Sequence, residues 1–369
     1  MQSDYECFVP NNLQDIDINI DANINRLIKK AYLLLGRLDG MDITLPDIDL
    51  FVSMYVQKEA VISSQIEGTQ AYLVDVLQKD RNNEKIKETE EIVNYIKSTN
   101  YAFNRLKDLP LSMRLIRETH KVLLSKVRGK EKMPGEFRKS QSWIGPSGST
   151  LKASNFIPPA PGEMDICLSD LEKYIHEEDI VDDLIKIALV YYQFETIYPF
   201  LDGNGRIGRL LIILYLKEKG LIEYPILYLS YFFKKNRSKY YELLNNVRFK
   251  GEFEEWVKFF VEGICEISED SIKSIQDIVQ LKAKDTEKIR NITKCNVSHL
   301  LSVYDYLLKH PFVEAEYIRN LLALSKPTIN KIFESLVELE ILKLVEEKQR
   351  YRQYVYKAYV DILSEGTAL

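Results

Sequence analysis

YPFLDGNGRIGR, residues 198–209, joins two strongly apolar runs, VDDLIKIALVYYQFETI before it and LLIILYLKEKG after it. The first run is so uniformly apolar that a buried central helix is its simplest account, and the second continues as another apolar helix. Gly203, Gly205 and Gly208 permit a tight backbone and close approach of a ligand. The peptide N–H groups from Gly203 to Arg206 open the second helix, where unpaired donors and the helix dipole favour an anion. Phosphate is the natural occupant. Arg206 and Arg209 stand three residues apart, so both project from the first turn with guanidinium forks suited to phosphate oxygens. Asp202 could hold a magnesium ion bridging two phosphates, because that hard cation takes carboxylate oxygens. The plainer reading is a charged helix cap with the arginines in water. A Walker A loop would need GxxxxGK followed by serine or threonine, and a Rossmann fingerprint would need a preceding strand.

Working outward, residues 12 to 36 repeat apolar side chains at helical spacing and stop at Gly40, and a second helix opens near Asp47. Further helices are expected over about 86 to 106 and 112 to 128, the latter closed by Gly129. Residues 129 to 164 are rich in glycine, proline and serine, with extended pieces around Phe137 to Ile144 and Leu151 to Phe156, the pattern of a hairpin. Helical periodicity returns from about 168 to 197, and amphipathic segments follow at 225 to 247 and 252 to 272. Residues 274 to 292 read as a connecting helix with a charged face. From 297 the order is three helices and an alternating stretch, KLVEEKQRYRQYVYKAYVDIL, that reads as a two-stranded wing. That is the order of a winged helix-turn-helix, with Ser325 as cap and Pro327 in the first turn of its third helix.

The chain has 369 residues, 46% hydrophobic and 28% charged, which calls for two or three domains and excludes a disordered tail or a disulfide-stapled miniprotein. Its net charge of −5 excludes a polyanion-wrapping protein as a whole and leaves a local basic face open. Cys7, Cys167, Cys265 and Cys295 form no CxxC pair, and His120, His176, His299 and His310 form no HExxH cluster. No run reaches the roughly 18 apolar residues of a membrane span, and the start lacks a signal-peptide pattern, so the expectation is a cytoplasmic protein without membrane contact.

The segment 198–209 resembles the signature of the Fic family, HPFx[D/E]GNGRxGR, at eleven of twelve positions. The resemblance implies an all-α Fic fold with a small β-hairpin flap, here followed by the winged helix-turn-helix. It implies transfer of AMP from ATP, with Mg2+, to a Ser, Thr or Tyr hydroxyl of a target protein. On it Asp202 would hold the metal, Gly203, Asn204 and Gly205 the anion, and Arg206 and Arg209 the nucleotide phosphates. Tyr240 or Tyr241 would line the adenine side. PGEFRKSQSWIG resembles the flap, placing Phe137, Arg138, Gln141, Trp143 and Ile144 where a target segment would be held by strand addition. SSQIEG matches the inhibitory pattern [S/T]xxxE[G/N], so Ser63, Glu67 and Gly68 would form a brake with Glu67 engaging Arg209. The implied organisation is an N-terminal helical domain at 1–105, the core at 106–272, a connecting helix at 273–292 and the winged-helix domain at 293–369.

The departure is Tyr198, at the position of the signature histidine that removes the proton from the attacking hydroxyl. An imidazole with pKa of about 6.5 accepts a proton at pH 7, whereas a phenol with pKa of about 10 is already protonated. Tyr198 therefore reads as divergence toward nucleotide binding or regulation, as an altered residue, or as a phenol tuned by Arg206 or the metal. No other histidine is an evident replacement; His120 reads as a satisfied helix residue. The alternative to an impaired, autoinhibited transferase is a non-catalytic nucleotide-binding regulator coupled to DNA. For DNA the C-terminal module offers Lys326, Thr328, Asn330, Lys331, Lys348, Arg350 and Arg352, set against Glu334, Glu338, Glu340, Glu346 and Glu347. A homo-oligomer is a further open expectation.

Overall fold

The computed structural model describes residues 5–41, 48–68, 85–127, 129–145, 148, 150–178, 181–292, 295–345 and 352–365. Helix α1 (Ala22–Asp39) starts where Asp21 accepts the Ile24 N–H at 2.7 Å, later than the expected residue 12. The preceding Asp-Ile-Asp-Ile-Asn-Ile alternates with period two and stays extended after a 3-10 turn at Leu13–Asp15. Helices α2 (Ile48–Ile66) and α3 (Lys85–Arg105) follow. Helix α4 (Met113–Leu123) stops short of the expected 128, with the chain reversing at Lys126, φ 64°.

The expected helical stretch 168–197 is two helices, α5 (Pro161–His176), with its proline in the first turn, and α6 (Asp183–Ile197), capped by Asp182. Helix α6 is buried on every side from Leu184 to Ile197, and α7 (Asn204–Glu218) from Asn204 to Leu216. These two pack as the central pair, with α2, α3 and α4 against α7 and α5 against α6. The expected segment 225–247 divides at Asn236 into α8 (Leu229–Lys235) and α9 (Arg237–Lys250).

Residues 252–272 and 274–292, read as separate segments, form one helix of 38 residues, α10 (Phe253–Arg290). No proline interrupts it, and its one glycine serves packing: a Cβ on Gly263 would stand 2.6 Å from Phe232 Cδ1. Helix α10 lies against α1, α6 and α8.

The C-terminal module comprises α11 (Val297–Lys309), β1 (Phe312–Glu314), α12 (Ala315–Leu321), α13 (Lys326–Glu338), β2 (Lys343–Leu344), β3 (Gln353–Val355) and α14 (Lys357–Ser364). The sheet is antiparallel in the order β1-β3-β2, pairing Phe312 with Val355 and Leu344 with Tyr354. Ser325 caps α13 through the Thr328 N–H at 3.3 Å. The stretch expected to be all wing ends instead in α14, which buries Tyr359, Val360 and Leu363 and packs on α2 and α10. Lys348 and Arg350 lie outside the described residues.

The expected hairpin between 137 and 156 is also reduced. Among the described residues one bridge joins Ile144 to Phe156, and Leu151–Ala153 is a 3-10 turn rather than a strand. Pro158, Pro159 and Pro161 follow directly and have no N–H to extend a ladder. Among the described residues no helix is long and apolar enough to cross a membrane.

Candidate functional site

The turn between α6 and α7 is held by two pegs. Helix α6 ends with Tyr198 in the left-handed region, φ 51° and ψ 61°, and Gly203 at φ 80° makes the second reversal. Between them, Asn204 Nδ2 donates to the Phe200 carbonyl and Asn204 Oδ1 accepts the Phe200 N–H, each at 2.8 Å. The Asn204 amide, expected among the ligand-binding groups, is the clasp of the turn. The second peg is His120, fully buried and stacked on Phe200 at 3.7 Å between ring centres. Its Nδ1 accepts the Gly135 N–H at 2.8 Å, which leaves Nε2–H to donate to the Asp202 carbonyl at 2.9 Å.

With both nitrogens committed, His120 has no free nitrogen to accept a further proton. Burial first, then the positive charge of Arg206, hold its pKa down at about 4. The neutral ring is therefore the form that the fold binds. Its contribution is complete above the unfolded pKa of about 6.5 and is lost as pH falls toward 4. Denaturant unfolding between pH 7.5 and 4 should show the wild type losing about 3 kcal/mol more than His120→Gln. Parallel losses in the two proteins would sink this assignment.

Arg138, expected on a target-facing flap, turns inward and is 1% exposed. Its Nε donates to the Tyr198 carbonyl at 2.9 Å, Nη1 to Ser140 O at 3.3 Å, and Nη2 to Pro159 O at 2.5 Å and Ile197 O at 3.3 Å. It ties the loop to the end of α6 and is closed to any target. Gln141 spends its amide on Pro158 O at 2.8 Å and Ser142 O at 3.0 Å. Phe137 tilts against Phe200, Ile144 makes the bridge to Phe156, and Trp143 remains 41% exposed.

Two arginines rise from the turn with different surroundings. Arg206 is 2% exposed, with Nη2 3.4 Å from Asp202 Oδ1 and Nη1 3.9 Å from Glu91 Oε2. Its Nε and Nη1 have no hydrogen-bond partner, and α7 has no side-chain cap at its start. Buried donors of this kind are costly unless an acceptor arrives. Arg209 is engaged by α2 and the residue that follows it: Nε donates to Ser63 Oγ at 2.8 Å, and Nη2 to Ser63 O and Glu67 Oε1 at 2.9 Å each. Gly68, at φ 97°, turns the chain away directly after Glu67. A Cβ on Gly205 would run into Glu67 Oε1, so glycine here makes room for that carboxylate.

Tyr198 is less suited to proton removal than a free phenol. Burial, followed by the negative charges of Glu67 and Glu195, holds its pKa well above the ordinary value, against a smaller opposing pull from Asn204. Glu195 was missed in the sequence, although a lone carboxylate near the end of a uniformly apolar run is a signal. It is buried with Oε1 unpartnered, and burial raises its pKa to about 7. Gly208 accommodates it, since a Cβ there would collide with Glu195 Oε1. Glu59, one turn before Ser63, is likewise buried and raised to about 7, accepting from Tyr95 Oη at 3.3 Å and from Ser230.

Tyr240 and Tyr241 separate. Tyr240 is buried and shares a 2.7 Å hydrogen bond with Tyr191, whereas Tyr241 is 42% exposed and feels the charges of Glu67 and Arg209. Tyr240 is within electrostatic reach of Arg209 too, so exposure is what separates the pair. Asp202 is partly exposed, and glycine at 129, φ 89°, leaves space for its carboxylate, since a Cβ would stand 2.7 Å from Oδ2. Among the described residues no group of three or more His, Cys, Asp or Glu could hold a metal alone.

Residues 25–104 match the family model described as "Fic/DOC family N-terminal", and residues 110–216 the one described as "Fic/DOC family". Among curated proteins the chain is similar to the protein adenylyltransferase Fic of Drosophila erecta, 28% identical over 47% of this chain and 33% of that protein. It is also similar to the protein adenylyltransferase Fic of Culex quinquefasciatus, 31% identical over 41% of this chain and 27% of that one. These matches span about a third of the relatives' own length. Among solved structures, a Fic family protein from Desulfovibrio desulfuricans superposes with TM-score 0.60 at 18% identity, covering 92% of this chain and 97% of that one. A Fic domain containing signaling protein from Bacteroides thetaiotaomicron gives TM-score 0.52 at 20% identity, over 70% of this chain and 97% of that one. At these identities the structural likeness speaks for the fold.

Proposed function

Since this chain belongs to the Fic/DOC family across residues 25–104 and 110–216, we propose that it is built to transfer AMP from ATP to a hydroxyl side chain of a target protein, under restraint by Glu67. The observation that supports the reading most is the buried guanidinium of Arg206, with two nitrogens that make no hydrogen bond beside an uncapped helix start. Phosphate oxygens would satisfy these donors, and the helix N-terminus adds to the attraction.

The residues present fit nucleotide with magnesium. Asp202 supplies one carboxylate, and among the described residues no acid cluster completes a metal site by itself, so the ion would arrive with the phosphates and neutralise their charge. Arg206 would bind and orient the phosphates. The target hydroxyl oxygen would attack the α-phosphorus, the bond to the bridging oxygen would break, and pyrophosphate would leave. The hydroxyl proton needs an acceptor, the task for which Tyr198 is poorly suited. Glu67 would restrain the reaction by occupying Arg209, whose three protein contacts leave it turned toward α2.

Equilibrium titration with ATP tests the phosphate roles. In a Glu67→Gly background, Arg206→Ala and Arg209→Ala are each expected to weaken binding about 10–100-fold, the worth of a charge-assisted hydrogen bond. Equal binding by all three proteins would remove the phosphate role.

The raised pKa of Tyr198 favours a second reading, a nucleotide-binding regulator without transfer activity. Its output would pass through the C-terminal module, whose order of helix, strand, two helices and two strands supports a winged helix-turn-helix. Labelled ATP separates the readings: product on protein supports transfer, and binding without product supports the regulator.

A further inference from the structure

Helix α14 belongs to the C-terminal module by sequence and to the core by packing. It follows β3, the central strand of the module's sheet, after the single residue Tyr356, so no linker separates strand from helix. Tyr356 is buried and anchors this corner: its N–H donates to Pro311 O at 2.8 Å and its hydroxyl to Asp285 Oδ2 of α10 at 2.5 Å. From there α14 packs on α2 and α10, with Tyr359, Val360 and Leu363 buried. The charge of Glu365, just past its end, is felt by Asp270 of α10. With its start tied to Asp285 and its end near Asp270, α14 runs back along α10 toward the core.

The part of α2 that α14 reaches holds a buried cation. Lys58 is 3% exposed, its ammonium 4.3 Å from the centre of the Tyr228 ring and 5.9 Å from that of Tyr55. Burial holds its pKa down at about 8, against the pull of Glu365 and then of Asp270. A buried cation is costly unless opposite charge stands by, and the end of α14 brings one of these two carboxylates. Further along, the same helix sets Ser63 against Arg209. A hydrogen bond of 2.8 Å, such as that from Arg209 Nε to Ser63 Oγ, is lost when the two parts move about 1 Å from each other. The grip on Arg209 and the seat of α14 are therefore carried by one rigid element.

We propose that the C-terminal module is a regulatory arm of the nucleotide site: seated on α2, α14 keeps Ser63 and Glu67 on Arg209, and displacement of the module's sheet lifts α14 and frees that arginine for phosphate. The inference rests on the phosphate role of Arg209. Its route is continuous, since β3 carries α14, α14 covers α2, and α2 carries Ser63. Linkage makes the effect reciprocal, so ATP that draws Arg209 away from α2 loosens α14 by the same factor.

Leu363→Glu puts a carboxylate into the buried face of α14, and Leu363→Ala is the milder form. Equilibrium titration of the full chain should show Leu363→Glu binding ATP about 5–50-fold tighter than the wild type, a usual size for coupling between two sites. A Ser63→Ala, Glu67→Gly background removes two of the three hydrogen bonds to Arg209. There the same substitution should change the affinity by less than about twofold. Hydrogen exchange should be faster at Val61–Ile66 in both Leu363 variants and unchanged at Leu210–Leu216, and saturating ATP should speed exchange within α14 of the wild type. The inference is overturned if α2 of the folded Leu363 variants exchanges at the wild-type rate. It is overturned equally if exchange quickens throughout the molecule, α7 included, or if affinity rises as much in the Ser63→Ala, Glu67→Gly background as in the wild type. Should Leu363→Glu fail to fold, Leu363→Ala carries the same comparison with a smaller shift. If neither the wild type nor the Ser63→Ala, Glu67→Gly chain binds ATP, the phosphate role of Arg209 fails, and exchange in α2 decides the coupling alone.

Discussion

Tyr198→His in a Glu67→Gly background is expected to raise AMP transfer by about 10²–10⁴-fold, the range supplied by a positioned general base. The backbone at this position is ready for the exchange. Tyr198 caps α6 at φ 51°, a conformation that histidine adopts more readily than most residues with a Cβ. The phenol there suffers from burial and from two neighbouring carboxylates, each of which favours its protonated form. An imidazole has a neutral, proton-accepting form at pH 7, and carboxylates nearby would stabilise the imidazolium it becomes. Transfer from radiolabelled ATP to a protein acceptor measures the effect, with Tyr198→Phe as the reference. Equal rates for tyrosine and phenylalanine, both far below histidine, are the expected pattern. Rapid transfer by the tyrosine protein would show that another group takes the proton.

Arg138→Leu is expected to destabilise the fold by about 3–5 kcal/mol, in the range of breaking a buried charged network. Four carbonyls from Ser140, Pro159, Ile197 and Tyr198 lose their donor together, and each buried acceptor left bare costs about 1–3 kcal/mol. Urea unfolding should show the loss as a lower midpoint at nearly constant slope. Arg138→Lys should recover only part of it, because one ammonium cannot reproduce the planar fork that reaches several carbonyls. A loss below about 1 kcal/mol would mean that water replaces the guanidinium.

The sequence made the central turn legible because glycine, asparagine and arginine are packed between two apolar runs, a local pattern that needs no distant partner. The contact of Arg209 with Ser63 and Glu67 spans 142 to 146 positions and was reachable only through the family's inhibitory pattern. Arg138 was placed on a target-holding flap by the resemblance of PGEFRKSQSWIG, while its acceptors sit up to 60 residues away. His120 and Asn204 were legible by type but not by task, since their partners are backbone groups, of the turn itself and, for His120, also of Gly135. Helix α14 was hidden because YVYKAYVDIL alternates well enough for a strand, and only burial against α2 and α10 selects the helical period. Tertiary contact decided each of these cases.

The seat of α14 bears on the order in which the molecule is made. Synthesis runs from the N-terminus, so α2 and α7 leave the ribosome long before residues 357–364. During that interval α2 lacks the helix that later lies across it beside α10. The packing of the helix that sets Ser63 against Arg209 is therefore completed only after residues 357–364 have been made.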